Sequence, residues 1–141
     1  MAPKRKFELL PHTADIGIRA RGKDLPELFA NAALGMMSIM ADPAKVATTT
    51  TEQVSVEADD LPALLVEWLN ELIFLIEAHE MVFSRFEIVS IDGTKLAAKA
   101  MGEPIDADKH ELRTQVKACT YHDLKVGKED SGWVAQVIFD I

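Results

Sequence analysis

A lone cysteine, Cys119, rules out an internal disulfide, and with it the small disulfide-stapled secreted scaffolds. Long apolar runs are also missing. The longest uncharged stretch near the start covers residues 28–41 and contains Asn31, Gly35 and Ser38. Its 14 residues fall short of the about 20 needed to span a bilayer. The opening Met-Ala-Pro-Lys-Arg-Lys is basic, but Glu8 and His12 interrupt any apolar run after it, so neither a signal peptide nor a membrane span is expected. Together these absences predict a cytoplasmic protein. No Gly-x-Gly-x-x-Gly or Gly-Lys-Ser/Thr loop is present to cradle a phosphate, and no serine stands in a nucleophile-elbow pattern. Cys119 lies between Ala118 and Thr120 with no base beside it, which suits a small buried side chain rather than a nucleophile.

What remains is an ordinary globular composition. The chain has 141 residues, of which 48% are hydrophobic, enough for one domain over residues 1–141. A chain of this size buries about 68–70% of its unfolded surface and needs no metal merely to stay folded. Its net charge of −8 is unevenly spread. Residues 1–23 hold six basic and two acidic groups, whereas residues 24–81 hold one basic and eleven acidic. An acidic body repels a phosphate backbone, so direct RNA contact is disfavoured. The basic strip of Lys4, Arg5, Lys6, Arg19, Arg21 and Lys23 reads as a solvated face.

Periodicity places the elements. Residues 7–10 read as a short strand, and Ile16, Ile18 and Ala20 alternate with Gly17, Arg19 and Arg21 in a second. Asp24 is an N-cap candidate, with Pro26 in the first turn and Glu27 three residues on. Apolar residues from Leu25 to Met40 then recur at helical spacing until Asp42-Pro43 stops the helix. Residues 43–51 read as a surface loop and Val54, Val56 and Ala58 as a third strand. Asp60 opens a second helix, apolar around most of its circumference and hence central to the fold. Residues 18–28 align with 54–64 without a gap at an offset of 36, a candidate duplication of a strand–helix unit. Later residues read as strands at 82–90, 94–101, 114–119, 121–126 and 133–139, with a hairpin turn at Asp92-Gly93 and an acidic loop over 104–109. The order predicts an α+β fold: two main helices packed on a largely antiparallel or mixed sheet.

Of the four histidines, His79 falls at a helix end, where capping is the default. His12, His110 and His122 lie outside the helices without the close spacing of a zinc pair. The last residues, Val-Ile-Phe-Asp-Ile, stay in strand register. If Ile141 packs into the core, its terminal carboxylate is fixed one residue from Asp140. Two neighbouring negative groups repel unless a cation or donors neutralise them. A third carboxylate would complete a hard-oxygen site suited to Ca²⁺ or Mg²⁺, and Asp15, at the start of the second strand, is the candidate. Spacing alone leaves a second reading open, in which Asp15 caps a turn and Asp140 sits in solvent.

At these residues the sequence resembles the archease family. The matching segments are His-Thr-Ala-Asp-Ile-Gly-Ile (12–18), Leu-Pro-Glu-Leu-Phe-Ala-Asn-Ala-Ala (25–33), Glu-Trp-Leu-Asn-Glu-Leu (67–72), Gly-Glu-Pro-Ile-Asp (102–106), Lys-His (109–110), Val-Lys-Ala-Cys-Thr-Tyr-His (116–122) and Val-Ile-Phe-Asp-Ile (137–141). They cover the whole chain in family order, and the combination is specific although no single piece is. The resemblance implies a small α+β cytoplasmic protein that assists the RtcB-type RNA ligase of tRNA splicing. Such a partner promotes the ligase's guanylylation, lets it turn over repeatedly and can broaden the nucleotide it accepts. It also implies a metal site at Asp15, Asp140 and an oxygen of Ile141, holding Ca²⁺ with Mg²⁺ or Mn²⁺ as alternatives. His12, Lys109, His110 and His122 become candidates for supporting that site or touching the ligase. Two other readings compete: a chaperone-like partner of a tRNA methyltransferase, and a metal-dependent hydrolase using the carboxylates with His110 or His122.

Overall fold

A computed structural model describes residues 6–11 and 15–141; His12 lies outside them. Among the described residues, seven strands and three α-helices run in the order β1 (Phe7–Pro11), β2 (Asp15–Gly22), α1 (Leu25–Met40), β3 (Thr50–Glu57), α2 (Leu61–His79), β4 (Met81–Ile91), β5 (Lys95–Pro104), α3 (Ala107–His110), β6 (Ala118–Glu129) and β7 (Gly132–Asp140). This is the expected α+β class, with the strands divided between two antiparallel sheets. One has the order β1-β2-β7-β6, the other β3-β5-β4. Helix α1 packs on β2 of the first sheet and β4 of the second, and α2 packs on β6 and β3. Both helices therefore bridge the sheets, which is where an apolar circumference has to go. Among the described residues, no helix is long and apolar enough to cross a membrane.

Both main helices start in the same way. Asp24 and Asp60 sit in extended backbone at φ −145°, ψ 176° and φ −149°, ψ 173°, and their carboxylates accept the N–H of Glu27 and Ala63. Each thereby satisfies one of the donors a helix start leaves unpaired. The two aligned segments thus share a strand–turn–helix form down to the cap. Between the helices, Trp68 is fully buried and its indole N–H donates to the carbonyl of Phe29 at 3.0 Å. Phe29, Phe83 and Phe139 complete the largest buried side chains.

The structure refines the local expectations. The Asp92-Gly93 turn is present, but no glycine among the described residues has a positive φ. The Asp92 carboxylate accepts the N–H groups of Thr94 and Lys95, both at 2.8 Å, so an Asx turn closes the expected β4–β5 hairpin. The loop over 104–109 contains the short helix α3. The strands expected at 114–119 and 121–126 are one continuous β6, and residues 114–117 form no strand. Their neighbours serve α1 instead: the N–H groups of Arg113 and Thr114 donate to the carbonyls of Met40 and Ile39, and the Arg113 guanidinium donates to that of Ser38. The last turn of α1 contains no basic residue, and a distant arginine supplies the missing positive end.

Candidate functional site

Antiparallel pairing of β2 with β7 brings two aspartates together at one corner of the molecule. Phe139 lies opposite Ile16, Val137 opposite Ile18 and Ala135 opposite Ala20. Ile18, Ala20, Ala135, Val137 and Phe139 are all buried, so this register is enforced by the core. A slip of one residue would turn the whole apolar set outward. The same register places Asp15 directly across from Asp140. By strand alternation both carboxylates project from the face opposite the helices, together with Gly17, Arg19, Gln136 and Ile138. Directly opposed side chains have Cβ atoms about 4.5–5.5 Å apart, and like charges there are unfavourable.

The two carboxylates meet different solvent. Asp140 is exposed, whereas Asp15 is half-buried and its Oδ1 is shielded from water. Beside them Leu10 and Ile138 close over Gly17, where an added Cβ would come within 3.3 Å of Leu10 Cβ and of the Val137 carbonyl. Ile141 is half-buried and packs against the core, so the backbone on both sides of Asp140 is held. Ala118 of β6 lies opposite Asp140, and the N–H of Lys117 donates to the Asp140 carbonyl at 2.8 Å.

Among the described residues, no three His, Cys, Asp or Glu side chains converge to hold an ion by themselves. The side chains here offer two carboxylates, and a further oxygen would come from the main chain at Ile141. Such an all-oxygen set fits a hard divalent cation and does not fit zinc.

The other expected residues gather elsewhere. Lys109 and His110 converge on Glu103, at the end of β5. The Lys109 ammonium lies 2.9 Å from that carboxylate, the His110 Nε2 2.9 Å and the Ala47 N–H 2.6 Å. His110 is fully buried, and its Nδ1 accepts the N–H of Asp106. Nε2 must then carry the ring proton and donate it to Glu103. Hydrogen bonds from His110, Lys109 and Ala47, in that order, hold the Glu103 carboxyl down to about 2. His122 is exposed on β6, 3.6 Å from Asp123. Cys119 is buried, which pushes its thiol up to about 12 and removes it as a nucleophile at neutral pH.

Sequence reasoning assigns no role to two residues that the structure brings forward. Glu103 stands in the Gly-Glu-Pro segment, six and seven residues before its two basic partners, but the link to Ala47 spans 56 residues. Asn70 lies in the polar stripe of α2. Its carboxamide bonds both the N–H and the carbonyl of Cys119, at 2.8 and 3.1 Å. Only the polar stripe on an otherwise apolar helix signals it in advance.

A family model described as the archease protein family matches residues 7–141. The protein archease of Methanosarcina acetivorans is 41% identical over 141 residues and that of Thermococcus kodakarensis 42%. These alignments cover 97% of this chain and 97% and 99% of the relatives. A solution structure of Methanobacterium thermoautotrophicum protein 1598 superposes with a TM-score of 0.85 at 39% identity, covering 96% of this chain and 99% of that one. The crystal structure of a Thermotoga maritima archease, described as a possible chaperone, shares the fold at 21% identity, with a TM-score of 0.64 and full coverage of both chains.

Proposed function

The chain belongs to the archease family, and on that premise we propose that it is a non-enzymatic cytoplasmic activator of an RtcB-type tRNA-splicing RNA ligase. In this reading it promotes the ligase's guanylylation, sustains multiple turnover and widens the nucleotide the ligase accepts. The observation that carries the reading is the cross-strand pairing of Asp15 with Asp140, which builds an anionic corner on a rigid register. Asp15, Asp140 and a main-chain oxygen of Ile141 would hold the ion, Ca²⁺ in the first instance and Mg²⁺ or Mn²⁺ as alternatives. When bound, the cation neutralises the pair and offers a Lewis-acidic charge at the surface.

This chain's own part is to keep the two carboxylates opposed and to shield one of them. The net charge of −8 agrees with a protein partner rather than RNA as the direct contact. Lys109, His110 and His122 support a partner surface less directly. The first two are committed to Glu103, and His122 alone of the three stands in solvent away from it.

The test is formation of the ligase–GMP adduct from the cognate ligase and GTP, with and without this protein. Wild-type protein accelerates it, and Asp15→Asn and Asp140→Asn do not. Unchanged adduct formation with wild-type protein contradicts the reading. A chaperone-like role is the second reading, in keeping with the description of the Thermotoga maritima relative as a possible chaperone, with a tRNA methyltransferase as the client to test. Suppressed aggregation of the methyltransferase that survives Asp15→Asn would favour it.

A further inference from the structure

Strand β6 reaches the acidic corner by a short ladder. It pairs with β7 at Ala118–Asp140, Cys119–Phe139 and Thr120–Ile138, then leaves register until Lys125 meets Gln136. Before Ala118 the chain is not a strand at all. Three paired residues therefore flank Asp140 on the side away from Asp15, between an irregular segment and a bulge. So short a pairing at a sheet edge is weak on its own. The described residues place β6 last in the sheet order β1-β2-β7-β6, so no strand supports its outer side.

Asn70 occupies that outer side. Its Oδ1 accepts the Cys119 N–H at 2.8 Å and its Nδ2 donates to the Cys119 carbonyl at 3.1 Å. A carboxamide offers one donor face and one acceptor face, as a peptide group does, so here a side chain stands in for a neighbouring strand. The support is stiff because Asn70 rides on α2, whose Trp68, Leu69 and Leu72 are fully buried in the core. Cys119 lies opposite Phe139, the residue before Asp140, and Lys117, two positions earlier, holds the Asp140 carbonyl.

We propose that Asn70 is a positioning residue for the Asp15–Asp140 site, clamping the β6 ladder so that Asp140 and the main chain after it stay aligned with Asp15. This inference rests on the cation site proposed above. Asn70 touches no ion and acts only through β6 and β7. Loss of an outer support of a metal site weakens affinity by about 10–100-fold.

The test is Ca²⁺ affinity by calorimetry, well below the melting temperature of each protein. Wild-type protein, Asp15→Asn, Asn70→Ala and Val54→Ala are compared, the last being a core truncation in the other sheet. Amide exchange at Cys119 is read alongside. The expected result is an affinity loss of about 10-fold or more in Asn70→Ala with faster exchange at Cys119. Val54→Ala keeps wild-type affinity despite its lower melting temperature, which separates alignment from general stability. Should Asn70→Ala not fold, Asn70→Ser serves in the same comparison. Wild-type affinity in the Asn70 variant, beside lost binding in Asp15→Asn, overturns the role of Asn70 alone. Absence of Ca²⁺ binding by the wild-type protein overturns the site and this inference together.

Discussion

Glu103 and the Asp15–Asp140 pair are both acidic sites at strand ends, and they differ in what stands directly across from the carboxylate. Around Glu103 the protein supplies an ammonium, an imidazole N–H and a backbone N–H, all within 3 Å. That carboxylate is neutralised internally, and its task is to tie the end of β5 to α3 and to the segment before β3. At the other corner the register sets one carboxylate facing another. The donors around Glu103 serve the frame, whereas two carboxylates set face to face across a strand pair present oxygens of two side chains to one point, as a hard cation requires.

The largest expected effect separates the two sites outright. Asp15→Asn and Asp140→Asn should each lower divalent-ion affinity by about 100-fold, and Asp140→Asn should leave the melting temperature of the ion-free protein unchanged or slightly raised. Glu103→Gln should do the reverse, lowering the melting temperature and leaving ion affinity intact. Calorimetric titration and thermal denaturation of the three variants check both halves. Loss of ion binding in Glu103→Gln would erase the distinction.

A pH series sharpens it. The Glu103 carboxyl sits at about 2 in the folded chain against an ordinary 4.5. A lowered carboxylate pKa contributes stability that is fully present above the ordinary value and is lost as the pH falls through the folded one. The wild-type protein should therefore lose stability progressively from pH about 4.5 towards 2, and Glu103→Gln should show a shallower decline. Chemical denaturation at stepped pH measures the slope.

Smaller effects probe the frame that both sites hang from. Trp68→Phe keeps most of the buried ring but leaves the Phe29 carbonyl without its indole donor, and should cost about 1 kcal/mol. Asp24→Ala and Asp60→Ala should each cost about 1 kcal/mol, and by similar amounts because the two caps share their geometry. Denaturant midpoints resolve differences of that size. A much larger cost at one cap would show that its aspartate does more than cap.

These contrasts also explain what could be read in the sequence. The caps at Asp24 and Asp60 are local, requiring only residues three apart, so pattern alone reveals them. The Asp92 turn is local as well, though its means differ, because the aspartate side chain rather than glycine backbone freedom closes it. Pairing of Asp15 with Asp140 is remote, yet alternation fixes which face each occupies and the buried Ile18–Val137 pairing fixes the register. The resemblance to archeases supplies the expectation that the two ends meet. Nothing local links Ala47 to Glu103 or Asn70 to Cys119, because those contacts form only once separate elements pack. Residues 114–119 have the composition of a strand, but Arg113 and Thr114 are drawn to the end of α1, and the strand starts only at Ala118.

The most direct test of the central claim is anomalous diffraction from crystals of this protein grown with Mn²⁺. The account predicts a manganese peak about 2.0–2.6 Å from carboxylate oxygens of both Asp15 and Asp140, with a main-chain oxygen of Ile141 completing the protein's share. An ordered ion at Glu103 instead, or a Mn²⁺-saturated crystal with no peak between the two aspartates, would contradict it.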